Sequence, residues 1–151
     1  MSGLGDNKNK LDSTIDLNTH VQDIVSLIVK EDLHHVILVG HSYGGVVITG
    51  VADQVPERLE KLKSLDALLV ENGQSAFSVN PIASQVIFKK TAMDYDRGLS
   101  IPAPSSTWFG VKDSSAVKWT NDRLSNHPYK TFTQTLSLKN PYGNLNAYSR
   151  E

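Results

Sequence analysis

The stretch Val36-Ile37-Leu38-Val39-Gly40-His41-Ser42-Tyr43-Gly44-Gly45, running straight into Val46-Val47-Ile48, constrains this chain more than any other. A β-branched apolar run reads as a buried strand, and the residues from Val46 onward suit a helix. A Gly-x-Ser-x-Gly pentapeptide stands at the junction, which is the setting of a nucleophile elbow. So tight a turn puts Ser42 at its tip, with the hydroxyl lifted clear of the sheet. Glycine at 40 and 44 is expected to remove Cβ atoms where the strand and helix backbones pass closest. The first N–H groups of the next helix lie at the positive end of its dipole, so the Tyr43 backbone N–H is the expected donor to a developing oxyanion.

The flanks read as an α/β arrangement. Residues 1–16 are rich in Gly, Asp, Asn, Lys and Ser without helical or strand period, and are expected to be a loop. Asn18 is the expected N-cap of a helix whose apolar stripe is Val21, Ile24, Val25 and Ile28. His34 and His35 then lead into the strand, where adjacent side chains diverge and cannot readily share one ligand. After the elbow, 45–54 suits a short helix, Pro56 a first helical position, and 62–69 a second buried strand. Two parallel strands joined by a helix result. From Pro81 to about Leu138 the sequence offers only short helices, 82–92 and 113–124, between Pro-, Ser- and Gly-containing connectors.

The motif Gly40-His41-Ser42-Tyr43-Gly44-Gly45, taken with Gly3-Leu4-Gly5 upstream and Leu65-Asp66-Ala67 downstream, resembles the α/β-hydrolase superfamily. It is most similar to the small-ester branch that includes bacterial esterases, plant methyl-ester esterases and hydroxynitrile lyases. The resemblance covers most of the chain and is strongest over 17–74. It implies an α/β fold with an incomplete parallel sheet, flanking helices and a helical cap-like region. The division expected is 1–80 for a partial core bearing the elbow, 81–138 for the cap-like insertion and 139–151 for the start of a C-terminal core segment. The family's opening strands and last strands have no counterpart here, so the chain is expected to be truncated at both ends relative to that fold.

A serine hydrolase needs a nucleophile, a histidine and a carboxylate, which follow one another as Ser, acid, His in this fold. Ser42 supplies the first. Of His20, His34, His35, His41 and His127, only His127 follows it. In the resembled family a His-Pro at this place belongs to the cap, which leaves His127 as a candidate base on chain order alone. His41 lies inside the motif and is expected to point away from the hydroxyl. Asp66, at the carboxyl end of the second strand, is the candidate acid, with a structural hydrogen-bonding role as the competing reading. Trp108, Phe109, Trp119 and Phe132 could line an acyl or alcohol pocket or simply form the core of the cap.

Composition narrows the partners. Lys+Arg 15 against Asp+Glu 16 gives a formal net charge of -1, which makes no electrostatic case for nucleic acid or an anionic membrane. With Cys 0 there is no disulfide, thiolate metal site or cysteine nucleophile. No signal-like apolar segment opens the chain and no run is long enough to span a bilayer, so a soluble cytoplasmic protein is expected. No His/Asp/Glu cluster has metal-ligand spacing and no cofactor is expected. The partner implied by the resemblance is a small-molecule ester, and an incomplete sheet also leaves edges open to self-association. Three functions follow: ester hydrolysis through an acyl-enzyme on Ser42, weak or absent in this chain without an identifiable catalytic histidine; a non-catalytic ligand-binding, regulatory or degenerate form of the scaffold; and lyase chemistry, which needs the same histidine.

Overall fold

A computed structural model describes residues 1–139 in full and the backbone of Tyr148–Arg150. The expected loop before the first helix contains a 3-10 helix, Gly5–Lys10, followed by α1, Leu17–Lys30. The cap of α1 is Asp16, not Asn18. Its carboxylate accepts the Thr19 N–H at 2.9 Å, while the Asp16 N–H donates to Thr19 Oγ1 at 3.3 Å. Thr19 thus closes a capping box, satisfying two otherwise orphaned N–H groups. Among the described residues α1 buries Leu17, His20, Val21 and Ile28.

Strand β1, Val36–Ser42, leads into α2, Gly44–Gln54; a single 3-10 turn, Pro56–Arg58, then precedes β2, Leu59–Ala67. The two strands pair in parallel, as the sequence predicts, but β2 begins at Leu59 and not Leu62. Glu60 and Lys61 separate Leu59 from Leu62, and Lys63 follows, so the strand opens on mostly polar residues and no continuous apolar run marks its start. Helix α2 is buried over nearly its whole length and lies between the sheet and α1. Ile48, Ala52 and Leu62 form its contact with the sheet, packed by Leu38 and Leu59. On its other side Val46, Val47 and Val51 meet Leu17, Val21 and Ile28 of α1.

Beyond β2, α3 (Ile82–Asp96) runs a turn longer than the expected 82–92, and α4 (Ser114–Asn121) falls within the expected 113–124. The two-residue strands β3 (Ser100–Ile101) and β4 (His127–Pro128) pair antiparallel, and α5, Tyr129–Thr133, follows. Residues 73–77 are knitted to 132–136 by backbone bonds from Gly73 N–H to Leu136 O, Leu136 N–H to Gln74 O and Phe77 N–H to Phe132 O, at 2.7–2.8 Å. Strand β5, Tyr148–Arg150, adds in parallel to β2 and gives the sheet order β1-β2-β5. The remainder of the 139–151 segment, residues 140–147 and 151, lies outside the described residues. Among those described, no helix is long and apolar enough to cross a membrane.

Candidate active site

Ser42 ends β1 with φ +51, a left-handed conformation that is costly for any residue with a Cβ. Its side chain is exposed. The strain is held by the surroundings. The Ser42 carbonyl accepts the Leu68 N–H at 2.9 Å, and α2 begins two residues on, with Tyr43 already helical at φ −53, ψ −29. Such a locked outlier is the backbone signature of an elbow that presents its serine.

The glycines divide differently from the sequence expectation. A Cβ on Gly40 would stand 2.7 Å from Gly44 O, so that position does require glycine. At Gly44 a Cβ would meet nothing within 4 Å. The second close approach belongs to Gly45, whose Cβ would lie 2.6 Å from Leu68 O and 2.7 Å from the Ala67 Cβ. Gly45 therefore lets α2 seat against the end of β2.

Asp66 lies beside Ser42. In the β1–β2 register His41 faces Leu65 and Ser42 faces Ala67, so Asp66 is the extra residue of a bulge, with φ +41. Two strained non-glycine residues thus stand at the carboxyl edge of neighbouring strands. The Asp66 carboxylate is exposed and makes no hydrogen bond or ion pair among the described residues.

Tyr43 turns its side chain inward, where it is buried. Its ring stacks on Phe132 with centroids 5.2 Å apart and planes at 14°, and meets the edge of His127 at 4.6 Å. Its hydroxyl is 3.0 Å from His20 Nδ1. Burial pushes the phenol pKa well up, so the group stays a donor. The opposite nitrogen of His20 is 2.8 Å from the Ser2 carbonyl, which can only accept. His20 Nε2 therefore carries the proton, and Nδ1 accepts from Tyr43.

His127 is engaged in the same layer. The Thr131 hydroxyl donates to Pro128 O at 2.7 Å and lies 2.8 Å from His127 Nε2, so Nε2 donates to Thr131 Oγ1. Desolvation, with the like charge of His20 behind it, lowers its pKa to about 3. A cleft of about 380 Å³ opens between Asp12, Ile15, Arg97, Tyr129, Lys130 and Thr133, and none of the sequence-predicted site residues lines it. Trp108, Phe109 and Trp119 stand 84%, 70% and 60% exposed, and Arg123 covers the Trp119 ring at 4.1 Å. Phe132 alone of the four aromatics reaches the elbow. His41 is exposed at the strand end. His34 sits on Asp32 and Arg58, and His35 is in a turn at φ +52. No group of three or more His, Asp or Glu able to hold a metal occurs among the described residues.

Sequence reasoning passed over His20. One signal was available: it lies three residues after Leu17 and four before Ile24, on the apolar stripe of α1, where a polar side chain needs a buried partner.

Known proteins are similar to this chain in sequence and in fold. The chain is 35% identical over 145 residues to the carbendazim hydrolyzing esterase of Nocardioides sp. strain SG-4G, covering 91% of this chain and 59% of that one. An extracellular α/β-hydrolase from a Paenibacillus species, described as sharing structural and functional homology with tobacco salicylic acid binding protein 2, superposes with a TM-score of 0.84 at 25% identity. That match covers 99% of this chain and 61% of the other. A methylesterase, MES16, from Arabidopsis shares the fold with a TM-score of 0.62 at 19% identity, over 99% of this chain and 61% of its own. The chain thus spans about three fifths of the length of these relatives. The sequence model of the Alpha/beta hydrolase family matches residues 2–148, and with the elbow at Ser42 and the parallel β1–β2 pair in place, the chain belongs to that family.

Proposed function

We propose that this chain carries the nucleophile half of a serine-dependent hydrolase of small carboxylic esters. The observation that carries the reading is Ser42, exposed at φ +51 between β1 and α2. Ser42 Oγ gives up its proton as it attacks the ester carbonyl, the Tyr43 N–H stabilises the oxyanion, and the leaving oxygen departs with that proton as the alcohol. Water then cleaves the remaining acyl-enzyme to the acid and restores the Ser42 hydroxyl. Asp66, at the neighbouring bulge, is the carboxylate best placed to orient a base. The relatives that support ester chemistry are an esterase and a hydrolase, and a small-molecule ester is the partner assigned.

His127 is assigned to the support of the elbow and not to proton transfer, because its Nε2 is spent on Thr131 and burial keeps it neutral. With no other histidine after Ser42 in the sequence, turnover by the chain alone is expected to be low. Loss of one such partner costs on the order of 10⁶ in rate. The same observation favours a second reading, in which the scaffold binds a ligand without turning it over.

A fluorophosphonate probe tests the first reading. An adduct mapped to Ser42, absent from Ser42→Ala, is expected. No adduct, with the Nocardioides esterase labelled in parallel, removes the active nucleophile and leaves the binding reading.

A further inference from the structure

We propose that His20 is a positioning residue for the Ser42 site, acting through Tyr43 to fix the peptide that begins α2 and to fasten that peptide to the N-terminal loop. The inference rests on Ser42 being the nucleophile and adds the device that holds its oxyanion donor.

His20 is wholly buried and uses both ring nitrogens. Nε2–H donates to the Ser2 carbonyl at 2.8 Å, and Nδ1 accepts from the Tyr43 hydroxyl at 3.0 Å. Desolvation favours the neutral ring, and of its two neutral tautomers the Nε2–H form is the one that satisfies both bonds. Asp23, three residues along the same helix, takes the Ser2 N–H and the Ser2 hydroxyl on its two carboxylate oxygens. Helix α1 therefore grips Ser2 at its N–H, hydroxyl and carbonyl. Beside it, Gly3 at φ +72 fits between Ile15 and Pro128, where a Cβ would approach each to 3.1 Å.

Tyr43 is held at three points: its hydroxyl by His20, and its ring by the stacked Phe132 and by His127 in a T-shaped contact. Its backbone N–H directly follows the strained Ser42. The Leu68 N–H on the Ser42 carbonyl orients the same peptide plane from outside. A Tyr43 side chain fixed at its far end restrains rotation on the other side of that N–H, so the buried hydroxyl bond is the inner of two restraints on its direction. An oxyanion donor works only where it is aimed before the charge develops. The Tyr43 hydroxyl is thus more than a satisfied core group, because its anchor lies on the residue that supplies the donor.

Tyr43→Phe is the informative substitution, since it keeps the ring and its stacking on Phe132 while removing the bond to His20. Amide hydrogen exchange at Tyr43 and Gly44 and the rate of fluorophosphonate labelling at Ser42 are read together on the full chain. About tenfold faster exchange at these two amides is expected, with Val51 and Ala52 unchanged, alongside about tenfold slower labelling, the size of one buried hydrogen bond. His20→Gln, which keeps a donor and an acceptor, is expected to retain more of both than His20→Leu. The His20→Leu/Tyr43→Phe double variant should be no worse than the poorer single. Unchanged exchange at Tyr43 and Gly44 overturns the proposal, as does equal acceleration at Val51, which would mark ordinary core packing. Altered exchange with labelling at the wild-type rate also overturns it. If wild-type Ser42 takes no label, the nucleophile reading falls, and the anchoring of the Tyr43 amide by His20 is decided by exchange alone.

Discussion

Ser42 and Asp66 stand side by side on parallel strands with both backbones in the left-handed region, at φ +51 and +41. A Cβ in that region costs roughly 1–2 kcal/mol. Ser42→Gly and Asp66→Gly are each expected to be about 1 kcal/mol more stable than the corresponding alanine variants, read from urea midpoints at constant slope. Equal midpoints for the glycine and alanine pairs would show that neither position stores strain. The Ser42→Gly variant, which has no hydroxyl, is expected to take no fluorophosphonate label under the proposed role of Ser42.

Gly44 and Gly45 separate by the same measurement. Gly45→Ala drives a Cβ to 2.6 Å from Leu68 O, with backbone on that side unable to yield, and is expected to cost about 1–3 kcal/mol. Gly44→Ala meets open space at the first position of α2 and is expected to be neutral or stabilising by a few tenths of a kcal/mol. Reversal of that order would contradict the seating of α2 through Gly45.

Local chemistry explains which parts were legible in the sequence. The β1–elbow–α2 unit was readable because each feature is local: β-branched residues up to Val39, a glycine at the close approach of residue 40, small residues through α2. The N-cap was displaced because Asp16 and Asn18 are both good caps, and only the reach of Thr19 back to Asp16 decides between them. The 3-10 helix Gly5–Lys10 has no apolar period to announce it. The bulge at Asp66 depends on the register with β1, which no single strand encodes. Most hidden was the layer beneath the elbow, where Ser2, His20, Tyr43, His127 and Phe132 converge from distant parts of the chain.

Acid should loosen that layer. His20 and His127 both have pKa values depressed in the fold, His127 to about 3, from an ordinary 6.5. Below 6.5 the unfolded chain binds protons that the folded chain refuses, so their contribution is complete above that pH and declines as pH falls toward 3. The carboxylates of Asp16 and Asp23 near His20 soften the effect there. Each histidine contributes a slope of up to about 1.4 kcal/mol per pH unit. Urea titrations from about pH 7.5 down to about 4.5, which cover the upper part of that window, should show falling stability. His127→Phe should flatten the profile. A wild-type profile flat across the interval would mean that neither histidine is held neutral.

The two faces of the sheet should respond oppositely to substitution. Leu62 is fully buried against Ile48 and Ala52 of α2, so Leu62→Ala removes packed volume that a helix wedged between α1 and the sheet cannot recover. A loss of about 2–5 kcal/mol is expected. Val39 lies one residue from Leu38 and points to the other face, where Ile37 and Leu65 are also half exposed among the described residues. Val39→Thr keeps the β-branch and its strand preference and should change stability by less than about 0.5 kcal/mol. It should also lower any concentration-dependent association measured by sedimentation, because an exposed apolar face on a sheet is a contact surface. A cost at Val39 approaching that at Leu62 would mean that this face is covered in solution, and the burial assigned to one side of β1 would have to be extended to both.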